Sequence, residues 1–403
     1  MTLRAYLSAA EASRLLGISQ PTLYAYVSRG QLRSEPMPDR PRARRYPRED
    51  IERLQQLKAA RRDPQGAGAR GLRWGGPVLE SRITLIDGGR VYFRGRDAVA
   101  LAEHATLEDA AHLLWEVPDA ESPRLFQQPP ALADAELARV RRLTRDPLAH
   151  MQAALAAAAA RDAAALDLTP RAVRLTGARI LRLLAAMVGR GSHAAPVHTA
   201  LQRVWASGAP SIGEVIRTAL VLCADHELNV SAFTARCVAS AGASPYDVVS
   251  AALAALKGHR HGGASERALA LVDRSDTLAA AKAELTARLR RGERIPGFGH
   301  PLYPDGDPRA ALLLQLARAS RDRAAWQSVR HAWKAGSALM QQEPNLDLGL
   351  AAITRAYGLP SHAPIVIFAL GRTVGWIAHA IEEYASGQLI RPRARYVGPP
   401  PSR

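Results

Sequence analysis

Three histidines sit where a side chain can leave a helix and enter a cleft. His226 lies in LCADHELN, His261 in LKGHRHGGASE and His300 in IPGFGHPLYPDGDPR. Each is placed by the helical periodicity at a helix-to-loop boundary, beside glycine or a carboxylate. Imidazole changes charge near neutrality, so it serves as general acid, general base or metal ligand. Metal binding is one reading of the set, but no pair has the short spacing of a metal site. Arginine beside these segments suits a substrate with several carboxylates, because the planar guanidinium fork matches a carboxylate bidentately. No glycine-rich phosphate loop follows a strand, and neither HExxH nor GxSxG occurs. Nothing therefore points to a nucleotide cofactor or a serine nucleophile.

Such side chains need a frame. The chain has 403 residues, 47% of them apolar, enough for two or three domains and a large core. Alanine is abundant and aromatic residues make up 5%, which favours helices. From Ile83 to about Glu383 the periodicity is that of short helices joined by brief loops. One local exception is ITLIDGGRVYFRGRD, where alternating apolar residues flank Asp87-Gly88-Gly89 and predict a hairpin. No run of eighteen apolar residues lacks a charge, and the first residues lack the apolar core of a signal peptide. Cys223 and Cys237 are the two cysteines, without metal-type spacing, so the expectation is a reducing, cytoplasmic protein with neither disulfide nor metal site.

The formal net charge of +17 is uneven: residues 1–75 hold fifteen Lys/Arg against seven Asp/Glu, or +8. That is the electrostatic footprint of nucleic-acid binding, set against a generally arginine-rich composition with four lysines in all. The pattern of the segment favours the first reading. Ser8 and Glu11 form a capping box for a helix over 8–16, and Gly17-Ile18-Ser19 makes a tight turn. Ser19 caps a second helix from Gln20 to Arg29, with Pro21 in its first turn and Gly30 as its stop. A third helix is expected around 48–61. Helix, three-residue turn, helix is the signature of modules whose second helix enters the major groove. LSAAEASRLLGISQPTLYAYVSRGQL, a basic wing and RRYPREDIERL resemble the winged helix-turn-helix of the MerR and excisionase group. On that pattern Gln20, Thr22, Tyr24 and Tyr26 lie on or near the recognition helix, and Arg42, Arg44 and Arg45 meet phosphates. The alternative is a small interaction or dimerisation module. Residues 62–75 read as a Gly/Pro/Arg-rich linker.

Six segments in order resemble the citrate synthase family: ITLIDGGRVYFRGRD, ALVLCADHELNVSAFTARCVAS, LKGHRHGGASE, GFGHPLYPDGDPR, EPNLDLGLAAITRAYGLP and GRTVGWIAHAIEEYASGQLIRPRARYVG. The resemblance implies a mainly α protein, with all-helical large (76–262 and 350–403) and small (263–349) domains preceded by the winged helix-turn-helix domain (1–61). It implies that Asp347 is the base that removes a proton from the acetyl-CoA methyl group. His261 then hydrogen-bonds the thioester oxygen and His300 polarises the oxaloacetate carbonyl. His226, Arg309 and Arg372 hold the oxaloacetate carboxylates and hydroxyl, and Phe368 lies close to the substrates. Ile295, Pro296, Gly297, Phe298 and Gly299 face CoA. Arg391 reaches the site from the partner subunit, which requires a homodimer. Acetyl-CoA is a substrate on this pattern, and no cofactor is implied. Taken singly, Asp347 reads as a helix cap after Pro-Asn, and Arg372 and Arg391 as surface ion-pair partners.

Pro301 stands where the family commonly has arginine, His259-Arg260 replace a usual proline or glycine, and Ser265 a usual asparagine. These departures leave the acyl-CoA and the 2-oxoacid open, since a pocket discriminates one methylene by only about 1–3 kcal/mol. Three alternatives accompany citrate synthesis: 2-methylcitrate synthesis, citryl-CoA cleavage, and a DNA-binding regulator that uses the enzyme-like domain as a metabolite sensor.

Overall fold

The computed structural model describes residues 6–29, 32–37, 40–48, 50–51, 54, 79–127, 129–189, 195–207, 209–394 and 396–399. The linker expected at 62–75, the helix stop at Gly30, most of the third N-terminal helix and the side chain of Arg42 lie outside the described residues. The chain divides into two compact units, Met1–Glu80 with Pro392–Arg403, and Ser81–Arg391.

The first unit holds β1 (Tyr6–Ser8), α1 (Ala9–Leu16), α2 (Gln20–Ser28), β2 (Glu35–Met37) and β3 (Arg40–Pro47). The capping box forms: Glu11 N–H donates to Ser8 Oγ at 3.3 Å, and Ser8 N–H to Glu11 Oε2 at 2.8 Å. Gly17 ends α1 in the left-handed region (φ 61°), and Ser19 Oγ accepts from Thr22 N–H to start α2. Leu7, Ala12, Leu16, Leu23, Leu32, Tyr46 and Ile51 bury together as a small separate core. The three strands pair antiparallel in the order β1-β3-β2, with Leu7 opposite Tyr46. Strand β1 has too few residues to show alternation, so only its pairing with β3 defines it.

The second unit opens with the expected hairpin, β4 (Thr84–Asp87) against β5 (Arg90–Phe93), extended by β6 (Arg96–Asp97). Gly88 and Gly89 both take positive φ, as a tight two-residue hairpin turn demands. Helices then follow one another: α3 (Ala98–His104), α4 (Leu107–Leu114), α5 (Ser122–Leu125), α6 (Asp134–Arg141), α7 (Pro147–Ala159), α8 (Pro170–Val188), α9 (Val197–Trp205), α10 (Pro210–Leu222), α11 (Val230–Ser240), α12 (Pro245–Leu256), α13 (Gly263–Val272), α14 (Leu278–Arg290), α15 (Pro308–Arg318), α16 (Arg323–Met340), α17 (Leu346–Ala356) and α18 (Ala363–Ser386). Proline in the first turn or a capping Asp, Asn, Ser or Thr starts most of them, which is why the elements are short and sharply bounded.

Helix α18 is the hub, packed against α4, α8, α10, α11 and α12. By length and composition it is apolar enough to cross a bilayer, but 94% of its most apolar window is buried inside the protein. A second group, α13, α15 and α16, packs on α17. Gly375 lets the segment after α10 lie directly on α18. Its N–H donates to Ala224 O at 3.0 Å, and a Cβ there would collide with Ala224 O and Asp225 Oδ1. His226 and Arg372 are brought together by that close approach.

Candidate active site

Four stretches of chain converge: residues 223–231 from the end of α10 into α11, the turn 258–262 before α13, residues 297–309 leading into α15 with the facing 343–347, and the face of α18 from Phe368 to Trp376. His226 and His300 meet edge to face, ring centroids 5.0 Å apart. His261 meets Phe368 likewise at 5.7 Å, and the Arg372 guanidinium lies 4.8 Å from the centre of the Phe368 ring. The structure therefore gathers His226, His261, His300, Arg309, Asp347, Phe368 and Arg372 in one region of the second unit, with His226, Arg309, Phe368 and Arg372 buried and His261, His300 and Asp347 half-buried.

Arg309 and Asp307 form a buried bidentate pair. Nε and Nη2 of Arg309 donate to the two carboxylate oxygens at 3.0 and 2.8 Å. Asp307 also accepts from Arg309 N–H and from Leu346 N–H, so one carboxylate fixes the starts of α15 and α17 together. Burial opposes ionisation of Asp307, but the charge and hydrogen bonds of Arg309 outweigh it and hold the carboxyl below the usual range. For Arg309 burial likewise works against the charge, and Asp307 more than offsets it. Arg372 is less well provided for. Its side chain is 1% exposed, Nε donates to Cys223 O at 2.8 Å, and buried Nη1 has no partner. Burial pulls its pKa down to about 10, with Asp225 acting in the opposite direction. A guanidinium with a spare donor in a dry site is prepared for an anion that arrives from outside.

The imidazoles are neutral. Burial, then Arg309, Arg372 and His300, push His226 well below its ordinary value. Burial and Arg372 bring His261 to about 4, and burial and Arg309 bring His300 to about 4. Leu302 N–H donates to His300 Nδ1 at 3.2 Å, which makes Nδ1 the acceptor and leaves the ring proton on Nε2. His261 Nε2 lies 2.8 Å from Ser231 Oγ, a hydroxyl that also receives the Trp376 indole N–H at 3.2 Å. The Ser231 proton has two acceptors in range, His261 Nε2 and Asn229 Oδ1.

Asp347 does not cap its helix. Asn345 does, its Oδ1 accepting Asp347 N–H at 3.0 Å, so the aspartate stands in the first turn of α17 with its carboxyl unspent on the cap. Burial raises that carboxyl to about 7, partly countered by Arg309. A group at that value is basic enough to take a proton and still ionised in half the molecules at neutrality. The cap residue also ties the site to the 295–299 segment. Asn345 N–H donates to Gly297 O, Asn345 Nδ2 to Gly299 O, and Gly299 N–H to Glu343 O. Gly297 and Gly299 thus spend these backbone groups on 343–345, while Ile295 and Phe298 are buried with the core and Pro296 beside them.

Arg391 is placed differently. It is exposed in the segment after α18, and among the described residues no hydrogen bond or ion pair joins it to these groups. In the first unit Gln20 and Tyr24 are exposed on α2, whereas Thr22 is half-buried, its hydroxyl shared with Ser19 Oγ at 2.9 Å. Tyr26 packs against the small core. Arg44 is exposed, while Arg45 is committed to Glu35 at 2.9 Å and lies over the Tyr6 ring.

Sequence reasoning missed several residues that the fold brings in. Asp307 had a visible signal, an aspartate before proline at a helix start. Ser231, Tyr303 and Trp376 had none, because their importance comes only from what they touch. Behind Arg372, Asp225 is buried with Oδ1 3.2 Å from His379 Nε2 and accepts the Thr84 hydroxyl at 2.6 Å, which joins the hairpin to the site floor. Among the described residues no three His, Cys, Asp or Glu side chains converge as metal ligands.

Residues 71–393 match the family model for the citrate synthase C-terminal domain, and residues 6–56 match a helix-turn-helix domain. The chain is 32% identical to citrate synthase of Haloferax volcanii over 80% of its own length and 93% of that protein. It is 29% identical to citrate/2-methylcitrate synthase of Bacillus subtilis over 80% and 94%. With citrate synthase 2 of Bacillus subtilis it shares 36% identity over 194 residues, which is 46% of this chain and about half (51%) of that one. Citrate synthase of Thermoplasma acidophilum, solved as a ternary complex with carboxymethyl coenzyme A and oxaloacetate, superposes with a TM-score of 0.71 at 26% identity, covering 83% of this chain and 97% of that one. A match to the family model over most of the chain, with a separate match in the first residues, shows that the protein belongs to the citrate synthase family and carries a helix-turn-helix domain at its N-terminus.

Proposed function

We propose that the chain condenses an acyl-CoA, acetyl-CoA or its propionyl homologue, with oxaloacetate and water, giving citrate or 2-methylcitrate and free CoA. The observation that carries this reading is the coexistence of an Asp347 carboxyl near pKa 7 with the unpartnered, buried Nη1 of Arg372. The first suits removal of a proton from carbon, the second a dianionic partner.

The α-proton of a thioester is a very weak acid, so a carboxylate removes it only where the oxyanion is stabilised at once. Asp347 takes the proton, and His261 donates to the thioester oxygen. That role requires the Ser231 hydroxyl to donate to His261 Nε2, which puts the ring proton on Nδ1. The enol carbon then attacks the oxaloacetate carbonyl. His300, with its proton on Nε2, donates to the carbonyl oxygen as charge develops there. Arg372, Arg309 and His226 hold the carboxylates, and hydrolysis of the resulting thioester by water releases CoA. Water excluded until that last step protects the enol. In the assembly Arg391 enters the partner's site, which makes the active form a dimer. The two free cysteines suit a reducing cytoplasm.

The experiment is release of free CoA thiol on adding oxaloacetate to acetyl-CoA and to propionyl-CoA, with Asp347→Ala alongside. Oxaloacetate-dependent release that the variant lacks supports the reading. Ligand binding without release supports the metabolite-sensing reading, which the helix-turn-helix match favours, and places the function in DNA binding by α2 and the wing.

A further inference from the structure

Tyr303 is the side chain that joins the parts of the site contributed by separate loops. Its hydroxyl lies 2.7 Å from His226 Nε2. Its ring lies 5.0 Å from that of His300 and 5.6 Å from that of His226, and the Arg309 guanidinium is 5.5 Å from its centre. Only 3% of the residue is exposed. The backbone fixes its direction: Tyr303 N–H donates to His300 O at 3.0 Å and Gly306 N–H to Tyr303 O at 3.2 Å. A phenol in the 300–309 segment therefore reaches across to the 223–231 segment and touches three of the groups read above as holding or polarising the 2-oxoacid.

We propose that Tyr303 is a positioning residue for the 2-oxoacid, setting the ring orientation of His226 and tying the His300–Arg309 segment to it. The inference rests on the condensing reading. A histidine with two ring nitrogens and a free χ2 has no intrinsic preference for one orientation. A buried hydroxyl at hydrogen-bond distance supplies it. Burial keeps the phenol protonated, and His226 is held neutral, so the contact is a single neutral hydrogen bond that survives across the working pH range. Aromatic packing on His300 and Arg309 gives the ring a role that phenylalanine can keep. The hydroxyl's role on His226 it cannot keep.

The test is binding of oxaloacetate alone, by calorimetry, to the full chain, together with steady-state KM values for oxaloacetate and the acyl-CoA. Tyr303→Phe is compared with wild type and with His226→Ala. The expected result is oxaloacetate affinity about tenfold weaker in Tyr303→Phe, the size of one lost hydrogen bond to a buried partner. KM for the acyl-CoA should stay within about twofold, a split between the two substrates that a merely structural role would not produce, while the lost buried hydrogen bond lowers the thermal midpoint by a few degrees. Wild-type affinity in Tyr303→Phe, with His226→Ala weakened, overturns the inference and leaves the condensing reading standing. Equal losses for both substrates also overturn it. No oxaloacetate binding by the wild type removes the condensing reading and the inference with it.

Discussion

Replacing Asp347 by asparagine separates what the carboxyl does for catalysis from what it costs the fold. Burial lifts its pKa from 3.8 to about 7. Each unit corresponds to about 1.4 kcal/mol, so about three units make the ionised native protein less stable by about 4 kcal/mol as an upper bound. Below the unfolded value the carboxyl is protonated in both states and nothing is lost. Between about 4 and 7 the unfolded chain releases the proton while the native protein keeps it, so stability falls as pH rises. Above the native value both forms are ionised and the loss is complete. The Asp347→Asn variant has no proton to release. Its thermal midpoint, followed by dye fluorescence without ligands, should exceed that of wild type by a margin that grows between pH 5 and pH 8. For a chain of this size the plateau amounts to a few degrees. Turnover should fall about 10²–10⁴-fold, the usual worth of a positioned base. A stability margin independent of pH would refute the claim that burial perturbs this carboxyl, and unchanged turnover would refute its assignment as the base.

Arg372→Lys keeps the charge but loses the planar fork, and should raise KM for oxaloacetate about 10–100-fold with little change in KM for the acyl-CoA; steady-state kinetics with each substrate varied will show it. Gly336 of α16 faces the Phe298 ring so closely that a Cβ would collide with it. Gly336→Ala should therefore cost about 1–3 kcal/mol and move the 295–299 segment, read as a lower thermal midpoint and a higher KM for the acyl-CoA; an unaltered pair of values would mean the ring repacks freely. In the first unit, Arg44→Ala should weaken binding to DNA fragments about equally for all sequences and reduce the slope of log affinity against log salt by about one, measured by gel shift. Leu23→Ala empties a fully buried position in the small core and should cost about 2–5 kcal/mol in that unit; CoA release should persist, because the second unit has its own core.

Local chemistry determined much of this protein from its sequence. Ser8 and Glu11 close their capping box, Gly17 ends its helix and Gly88-Gly89 turn the hairpin, because each acts on backbone groups a few residues away. The first-turn prolines and capping side chains of α7, α12 and α15 likewise bound helices without help from afar. The order of the histidine, PNLD and GRTVGW segments was enough to point to the family. What these residues do to one another was decided by the tertiary structure. Asp347 read alone as a cap, and only the fold shows Asn345 taking that role and leaving the half-buried carboxyl unspent on the cap. Arg372 read as a surface cation, yet it lies inside α18's packed face with one nitrogen unmatched. Ser231, Tyr303 and Trp376 carry no pattern of their own, since a hydroxyl or a ring gains its role from a partner 30 to 145 positions away. Burial and long-range pairing set protonation state, tautomer and available donors, and these depend on distances in space that no local spacing encodes.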